Sequence, residues 1–389
     1  MISVKIIEKL YIYFVFLMIG LNLKIFQGLY IYNLLIIIYL LFNYNKISFY
    51  KNVIIFIAIY IISLCVPLIV QIFYIDEYNI SSFYIIFNIF IFISFISFLS
   101  LIKDININYN IVLFFLSLPI FLSIIMFINK PFENLMLNFY HIHRYPAFGR
   151  YGGVFGSDVN AFGLYNSIII FFLLILKRYY LINRIFVSIV GFISLLGILL
   201  SGMRTGIIVL FVLLMLFNWK LKLIKIKDIS FMFILILATM FFMYQFNDFV
   251  KDIINYLIDR FSISHLINDF HSGDNGGNLR QAIQYFNETV KNYSFNSINT
   301  FFGLDSTLNY VDNYYIFSFL KHGLLNVITI FILFFLIIFQ YKRNIFNIFV
   351  LLMTFLFAIK GIFIINNFYM LVILYSIFLW RKYENSYHS

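Results

Sequence analysis

RIFVSIVGFISLLGILLSGMR, residues 184–204, carries no charge between its two terminal arginines. An uncharged apolar run of about 20 residues matches the length of a helix that crosses the hydrocarbon core of a bilayer. Working outward, similar runs centre near residues 16, 35, 62, 91, 119, 167, 192, 211, 237, 326, 352 and 372. At about 20 residues per span, the chain divides into about twelve spans. The composition agrees. Of 389 residues, 63% are hydrophobic and 11% charged, and the mean hydropathy is +0.97. No soluble globular domain has that balance. The fold class expected is all-α, a polytopic membrane protein.

The first apolar run begins near Leu10 and reaches Lys24 without a small-residue cleavage site. It reads as a spanning helix and not as a cleaved signal. Cys65 is the chain's single cysteine, which excludes a disulfide framework. The formal net charge is +11, yet the basic residues are spread over short loops between apolar runs. That pattern sets orientation; it is not a nucleic-acid surface.

Counting Lys and Arg in alternate loops gives the orientation. One set holds Lys5, Lys9, Lys46, Lys51, Lys103, Lys177, Arg178, Arg184, the cluster from Lys220 to Lys227, Lys342, Arg343, Arg381 and Lys382. In its short loops the other set has only Lys24, Arg204 and Lys360. The first set is therefore expected on the cytoplasmic side, with both termini. Two long loops then fall outside, 129–158 and 246–311, the second lying before the last three helices. With no internal repeat or low-complexity linker, residues 1–389 read as a single integral membrane domain.

The chemistry-bearing residues gather in the external segments. Arg144-Tyr-Pro-Ala-Phe-Gly-Arg150-Tyr-Gly-Gly-Val-Phe-Gly-Ser-Asp158 closes the first loop. Gly149, Gly152, Gly153 and Gly156 let the backbone take positive φ and approach a ligand closely. Arginine suits a bidentate grip on phosphate. Ser157 or Asp158 can cap the next helix, whose free amides form an anion site. The plainer reading is a turn with arginines snorkelling to the headgroups.

Leu200-Ser-Gly-Met-Arg204-Thr-Gly206 is a tight turn between apolar helices. A charge there needs water or a partner, so Arg204 is a functional candidate; interfacial snorkelling is the alternative. The long loop holds two runs at helical spacing, one from Phe249 to Ile258 and one from Leu279 to Val290. Both suit helices on the membrane surface or packed over the bundle. Arg280 opens the second run, where a cation opposes the helix dipole and so calls for another partner. Asp312 lies where the chain re-enters the membrane. A carboxylate in a partly dry site can accept a proton from a sugar hydroxyl; the alternative is an acid that only favours a helix N-terminus. His322 reads as packing. His141 and His143 lack a third ligand, so no metal site is expected. Asn287-Glu-Thr289 fits a glycosylation sequon without other secretory signals. No phosphate-binding P-loop, nucleophile elbow or cofactor fingerprint occurs, and no cofactor is expected.

Arg150…Gly153-Val-Phe-Gly…Asn160-Ala-Phe-Gly163, Ser201-Gly-Met-Arg204-Thr-Gly206, Arg280, Phe302-Gly-Leu and Asp312-Asn313-Tyr-Tyr…Gly323 together resemble the O-antigen ligase and Wzy-type polysaccharide polymerase superfamily. The resemblance covers residues 140–325 in detail and the remainder as topology. It implies an inverting glycosyltransferase of the bacterial inner membrane, needing neither metal nor nucleotide-sugar and acting at the periplasmic face. It also implies a donor and an acceptor that are glycans on undecaprenyl diphosphate. By the same resemblance Arg150, Arg204 and Arg280 hold the diphosphate. Three guanidinium groups could also neutralise a leaving group as charge develops on it, and Arg204 with Asp312 forms the candidate catalytic pair.

Where ligases carry His-Asn this chain has Asp312-Asn313. That departure favours a polymerase and leaves the general base open. A chain-length regulator is a candidate partner, beside membrane lipid; nucleic acid is not expected. The competing readings are a ligase, which passes the glycan to another acceptor, and a lipid-linked oligosaccharide flippase, a non-enzyme. A flippase keeps charges inside its bundle, whereas here the basic residues gather at the ends of the helices.

Overall fold

The computed structural model describes residues 4–26, 29–47, 81–102, 105–140, 152–155, 159–179 and 181–201, with scattered single residues elsewhere, Tyr375 and Leu379 among them. The chain divides into two compact units. The first comprises Met1–Tyr39, Leu101–Ile267 and Leu371–Ser389; the second comprises Leu40–Ser100 and Asn268–Met370.

Nearly all the described residues are helical. Helix α1 is Val4–Leu21. A two-stranded antiparallel hairpin follows, β1 Lys24–Phe26 and β2 Leu29–Tyr30. Then come α2 Ile31–Phe42, α3 Ser81–Ile102, α4 Tyr109–Ile128, α5 Lys130–Phe139, α6 Val159–Arg178 and α7 Arg184–Ser201. Among the described residues, three helical stretches are long and apolar enough to cross a membrane: Tyr109–Ile128, Ala161–Arg178 and Arg184–Ser201. These match the apolar runs expected near 119, 167 and 192. Lys5, Glu8 and Lys9 take up the first turns of α1, and α2 has 12 residues, short of the roughly 20 a span needs. The runs near 211, 237 and 352 and the loop 246–311 lie outside the described residues.

In the first unit, α1 buries Ile12, Val15, Phe16 and Ile19, the spacing of one helical face. The Tyr11 hydroxyl donates to the Leu35 carbonyl at 2.7 Å, and the Tyr39 hydroxyl donates to Glu8 Oε1 at 2.9 Å. These two bonds fix α1 and α2 as an antiparallel pair. Along α1 and α4 the register is parallel. The Asn108 N–H donates to the Tyr13 hydroxyl at 2.6 Å, and seven residues further along both chains Gly20 meets the backbone of Phe115.

That second contact has a cause in the sequence. Pro119 lies inside α4 and has no N–H to give the Phe115 carbonyl. The freed carbonyl faces Gly20, where a Cβ would collide with it. One residue on, the Leu116 carbonyl accepts the Tyr165 hydroxyl of α6. At its start α4 is capped by Asn108, whose side chain accepts the Asn110 N–H at 3.0 Å.

Helix α6 runs antiparallel to α4: Asn183, just beyond α6, donates its N–H to Asn110 Oδ1 at 3.1 Å, and Phe162 at the other end meets Met126 and Phe127. Helix α7 returns antiparallel to α6, with Gly197 against Asn166 and Leu200 beside Phe162. Tyr375 sits between Phe16 of α1 and Phe172 of α6, with ring centroids 5.3 and 5.6 Å away.

Of the second unit the structure describes chiefly α3. Two of its hydroxyls are satisfied within the helix: Ser94 donates to the Phe90 carbonyl and Ser97 to that of Ile93, each at 2.8 Å. Such back-bonding lets serine sit in an apolar helix without an orphaned donor.

Candidate functional site

At one end of the first unit the last turn of α4, the whole of α5, the turn before α6, the first turns of α6 and the last turn of α7 close on a common apolar cluster. Its buried members are Met126, Phe127, Met136, Phe162 and Leu200, with Val154 and Phe155 packed against it. The Phe155 ring lies 5.9 Å from that of Phe162 and 5.4 Å from that of Tyr165.

The turn Gly153–Phe155 is a single turn of 3-10 helix, and two features pin it. Gly153 has φ +54, a left-handed conformation that strains any residue with a Cβ. The Val154 N–H donates to Ser123 Oγ at 3.1 Å, and the same hydroxyl donates to the Pro119 carbonyl at 2.6 Å. Gly153 stands so close to α4 that a Cβ would run into the Ser123 side chain. Gly153 therefore takes the positive φ the sequence reading expects of this loop, and its close approach is to helix α4.

Helix α5 lies in the stretch 129–158 that the sequence reading treats as loop. Asn129 caps it, accepting the Phe132 N–H at 3.0 Å, and Pro131 stands in its first turn, both favoured at a helix start. Asn129-Lys-Pro was thus the legible signal. Glu133 is buried, 1% exposed, and pairs with Lys130 Nζ at 2.8 Å. Tyr140 ends the helix and donates its hydroxyl to the Leu21 carbonyl at 2.9 Å. Burial pushes the Tyr140 phenol up to about 12, so it remains a donor at any ordinary pH.

Below the cluster, α6 and α7 meet along a polar seam. Asn166 is fully buried and donates Nδ2–H to the Phe162 carbonyl at 2.7 Å. Asn166 Oδ1 and the buried Ser194 hydroxyl have no hydrogen-bond partner among the described residues. Gly191, Ser194, Gly197 and Ser201 line the buried face of α7, and a Cβ at Gly197 would meet the Asn166 carboxamide. Small residues at such spacing let helix backbones approach closely.

The expected site residues Arg150, Arg204, Arg280 and Asp312 lie outside the described residues, as do His141, His143 and His322. Their flanks are partly described. Gly153 is three residues after Arg150, and Ser201 is three residues before Arg204. Val154 packs against the same cluster that contains Leu200. Sequence reasoning missed Ser123, Asn166 and Glu133. A single hydroxyl, amide or acid inside an apolar run carries no spacing of its own. No group of three or more His, Cys, Asp or Glu gathers among the described residues.

No protein-family model matches the chain, no curated protein matches it, and no solved structure matches its fold.

Proposed function

We propose that the chain is a lipid-linked-oligosaccharide-dependent glycosyltransferase of the bacterial inner membrane. It joins undecaprenyl-diphosphate-linked repeat units into an O-antigen or capsular-type polysaccharide. On this reading it has about twelve spans, both termini in the cytoplasm and the loop 246–311 in the periplasm. The helix directions support the alternation: α4, α6 and α7 run antiparallel in turn, as consecutive spans must.

The observation that carries the reading is the shared cluster. Arg150 and Arg204 are far apart in sequence, yet Val154 and Leu200, each four residues from one of them, meet in the same cluster. Three residues of extended chain span roughly 10 Å, and an arginine side chain adds to that reach. Two guanidinium groups anchored this way can meet at one diphosphate. Arg280 and Asp312 complete the proposed set from elsewhere in the chain. In the reaction, an acceptor hydroxyl attacks the anomeric carbon with inversion, and the lipid diphosphate leaves. Guanidinium groups stabilise the charge that develops on it, and the protein holds the two lipids in line.

The test is the glycan ladder of whole cells. Deleting this gene should leave surface glycans one repeat long. Loss of surface glycan with long chains kept on the carrier lipid would instead indicate a ligase. Unpolymerised repeats held at the cytoplasmic face would indicate a flippase. In complemented cells, Arg150→Ala, Arg204→Ala and Arg280→Ala should each abolish long chains while the protein still inserts. Lysine should rescue poorly, since one ammonium cannot reproduce the bidentate fork. Normal ladders from all three alanine variants would end the diphosphate-clamp assignment.

A further inference from the structure

Helix α5 carries three different faces. Successive residues lie about 100° apart around a helix, which sorts its side chains into arcs. Glu133 and Met136 are buried on the arc that meets the bundle. Lys130, Asn134 and Asn138 form a second arc, polar and exposed. Leu135 and Phe139 form the third, which is apolar and also exposed, at 61% and 59%.

A helix between a protein and water needs only two faces. A third, apolar and open, calls for an apolar neighbour. Scattered exposed apolar residues are ordinary; here they continue a longer surface. Ile111, Phe114, Ile125 and Ile128 are exposed along α4 at helical spacing, Ile128 by 61%. No linker separates the two helices, because Asn129 is at once the C-cap of α4 and the N-cap of α5. The helix with the exposed apolar arc thus follows directly on a helix that is long enough to span a membrane and carries its own exposed apolar residues.

We propose that α5 is an interfacial helix lying flat in the headgroup layer, with Leu135 and Phe139 seated among lipid acyl chains and Asn134 and Asn138 in water. The occupant of the third face is bilayer lipid. Bundle, water and lipid then each take one arc, the arrangement of an amphipathic helix held at a membrane surface beside its own protein. The buried arc carries Met136 in the cluster against which Val154 and Phe155 pack. Through that contact the depth of α5 in the bilayer fixes the level of the Gly153 turn. The inference does not depend on the glycosyltransferase reading.

The test uses the full chain with Cys65→Ser, in vesicles of phosphatidylethanolamine and phosphatidylglycerol. Asn134→Cys, Leu135→Cys, Asn138→Cys and Phe139→Cys are each spin-labelled, and collision with oxygen is compared with collision with a water-soluble nickel chelate. All four positions are exposed, so substitution should leave the fold intact. The oxygen-to-nickel ratio at 135 and 139 should exceed that at 134 and 138 by about tenfold, which corresponds to ~1.4 kcal/mol of preferential exclusion. Equal ratios at all four positions would overturn the proposal. So would shielding of 135 and 139 from both reagents with dipolar broadening between labels, which would mean that a second copy covers the face. Should Phe139→Cys fail to insert, Phe139→Trp with brominated lipid reads the same contact. Quenching beyond that of the unsubstituted protein is expected, and its absence counts against the assignment.

Discussion

Gly153→Ala tests whether the turn beside the cluster is held as described. Two costs add. The backbone at φ +54 penalises a residue with a Cβ by roughly 1–2 kcal/mol. The new Cβ also runs into the Ser123 side chain, and overpacking of this kind costs about 1–3 kcal/mol. The expected loss is therefore about 2–5 kcal/mol, against a total stability of about 5–15 kcal/mol for a typical domain. Ser123 separates the two costs. Ser123→Gly on the Gly153→Ala background removes both side-chain atoms that the new Cβ meets. Most of the overlap should go, leaving a tight contact of 3.0 Å with the Cα at 123, and the φ penalty should remain.

Taken alone, Ser123→Gly orphans the Val154 N–H, for about 1–3 kcal/mol, and puts glycine inside a helix, for about 1 kcal/mol. The double variant should thus be more stable than the sum of the singles by about 1–3 kcal/mol. Ser123→Ala keeps the Cβ, so it should recover much less. Unfolding titrations in mixed micelles measure all four variants. If Gly153→Ala lies within about 0.5 kcal/mol of the parent, if the double variant is strictly additive, or if alanine at 123 rescues as well as glycine, the packing argument is wrong.

Gly197→Ala should push Asn166 away and cost about 1–3 kcal/mol, and Asn166→Ala in the same chain should recover most of it in the same titration. Tyr140 gives a pH signature. Its phenol rises from 10.0 to about 12 on burial, so its contribution is fully present below pH 10 and lost as pH rises through about 12. Tyr140→Phe should flatten that alkaline limb in stability measured against pH. Asp312→Asn should abolish long glycans if Asp312 takes the acceptor proton; a full ladder would remove it as the base.

The spans near 119, 167 and 192 were legible because a bilayer imposes a length and forbids unpaired charge, and both constraints are local. What joins those helices was not legible. Pro119 frees a carbonyl that Gly20 meets on another helix, and Tyr165 reaches the carbonyl beside it. Each contact pairs residues distant in sequence, and neither partner looks unusual alone. Gly153 fell between these cases. Its positive φ could be expected from a glycine-rich loop, while its neighbour Ser123 could not, since Ser123 bonds its own helix backbone just as Ser94 and Ser97 do in α3, and nothing local marks it as also accepting from another segment. Helix α5 was readable from its cap, but the length of the loop around it masked a signal of 10 residues.

The charge balance bears on what the outer arginines bind. The chain has 27 Lys and Arg against 16 Asp and Glu, a formal net charge of +11. Among the described residues the acids are Glu8, which accepts from Tyr39, and Glu133, which pairs with Lys130. On the proposed topology the cytoplasmic cations face an anionic leaflet, which attracts them by about 1 kcal/mol each. Arg150 and Arg204 lie on the other side and lack that field. A diphosphate headgroup carries two negative phosphates in a compact shape that matches paired guanidinium forks. Under the proposed function, the anion that Arg150 and Arg204 meet is the headgroup of the lipid substrate and not bulk membrane charge.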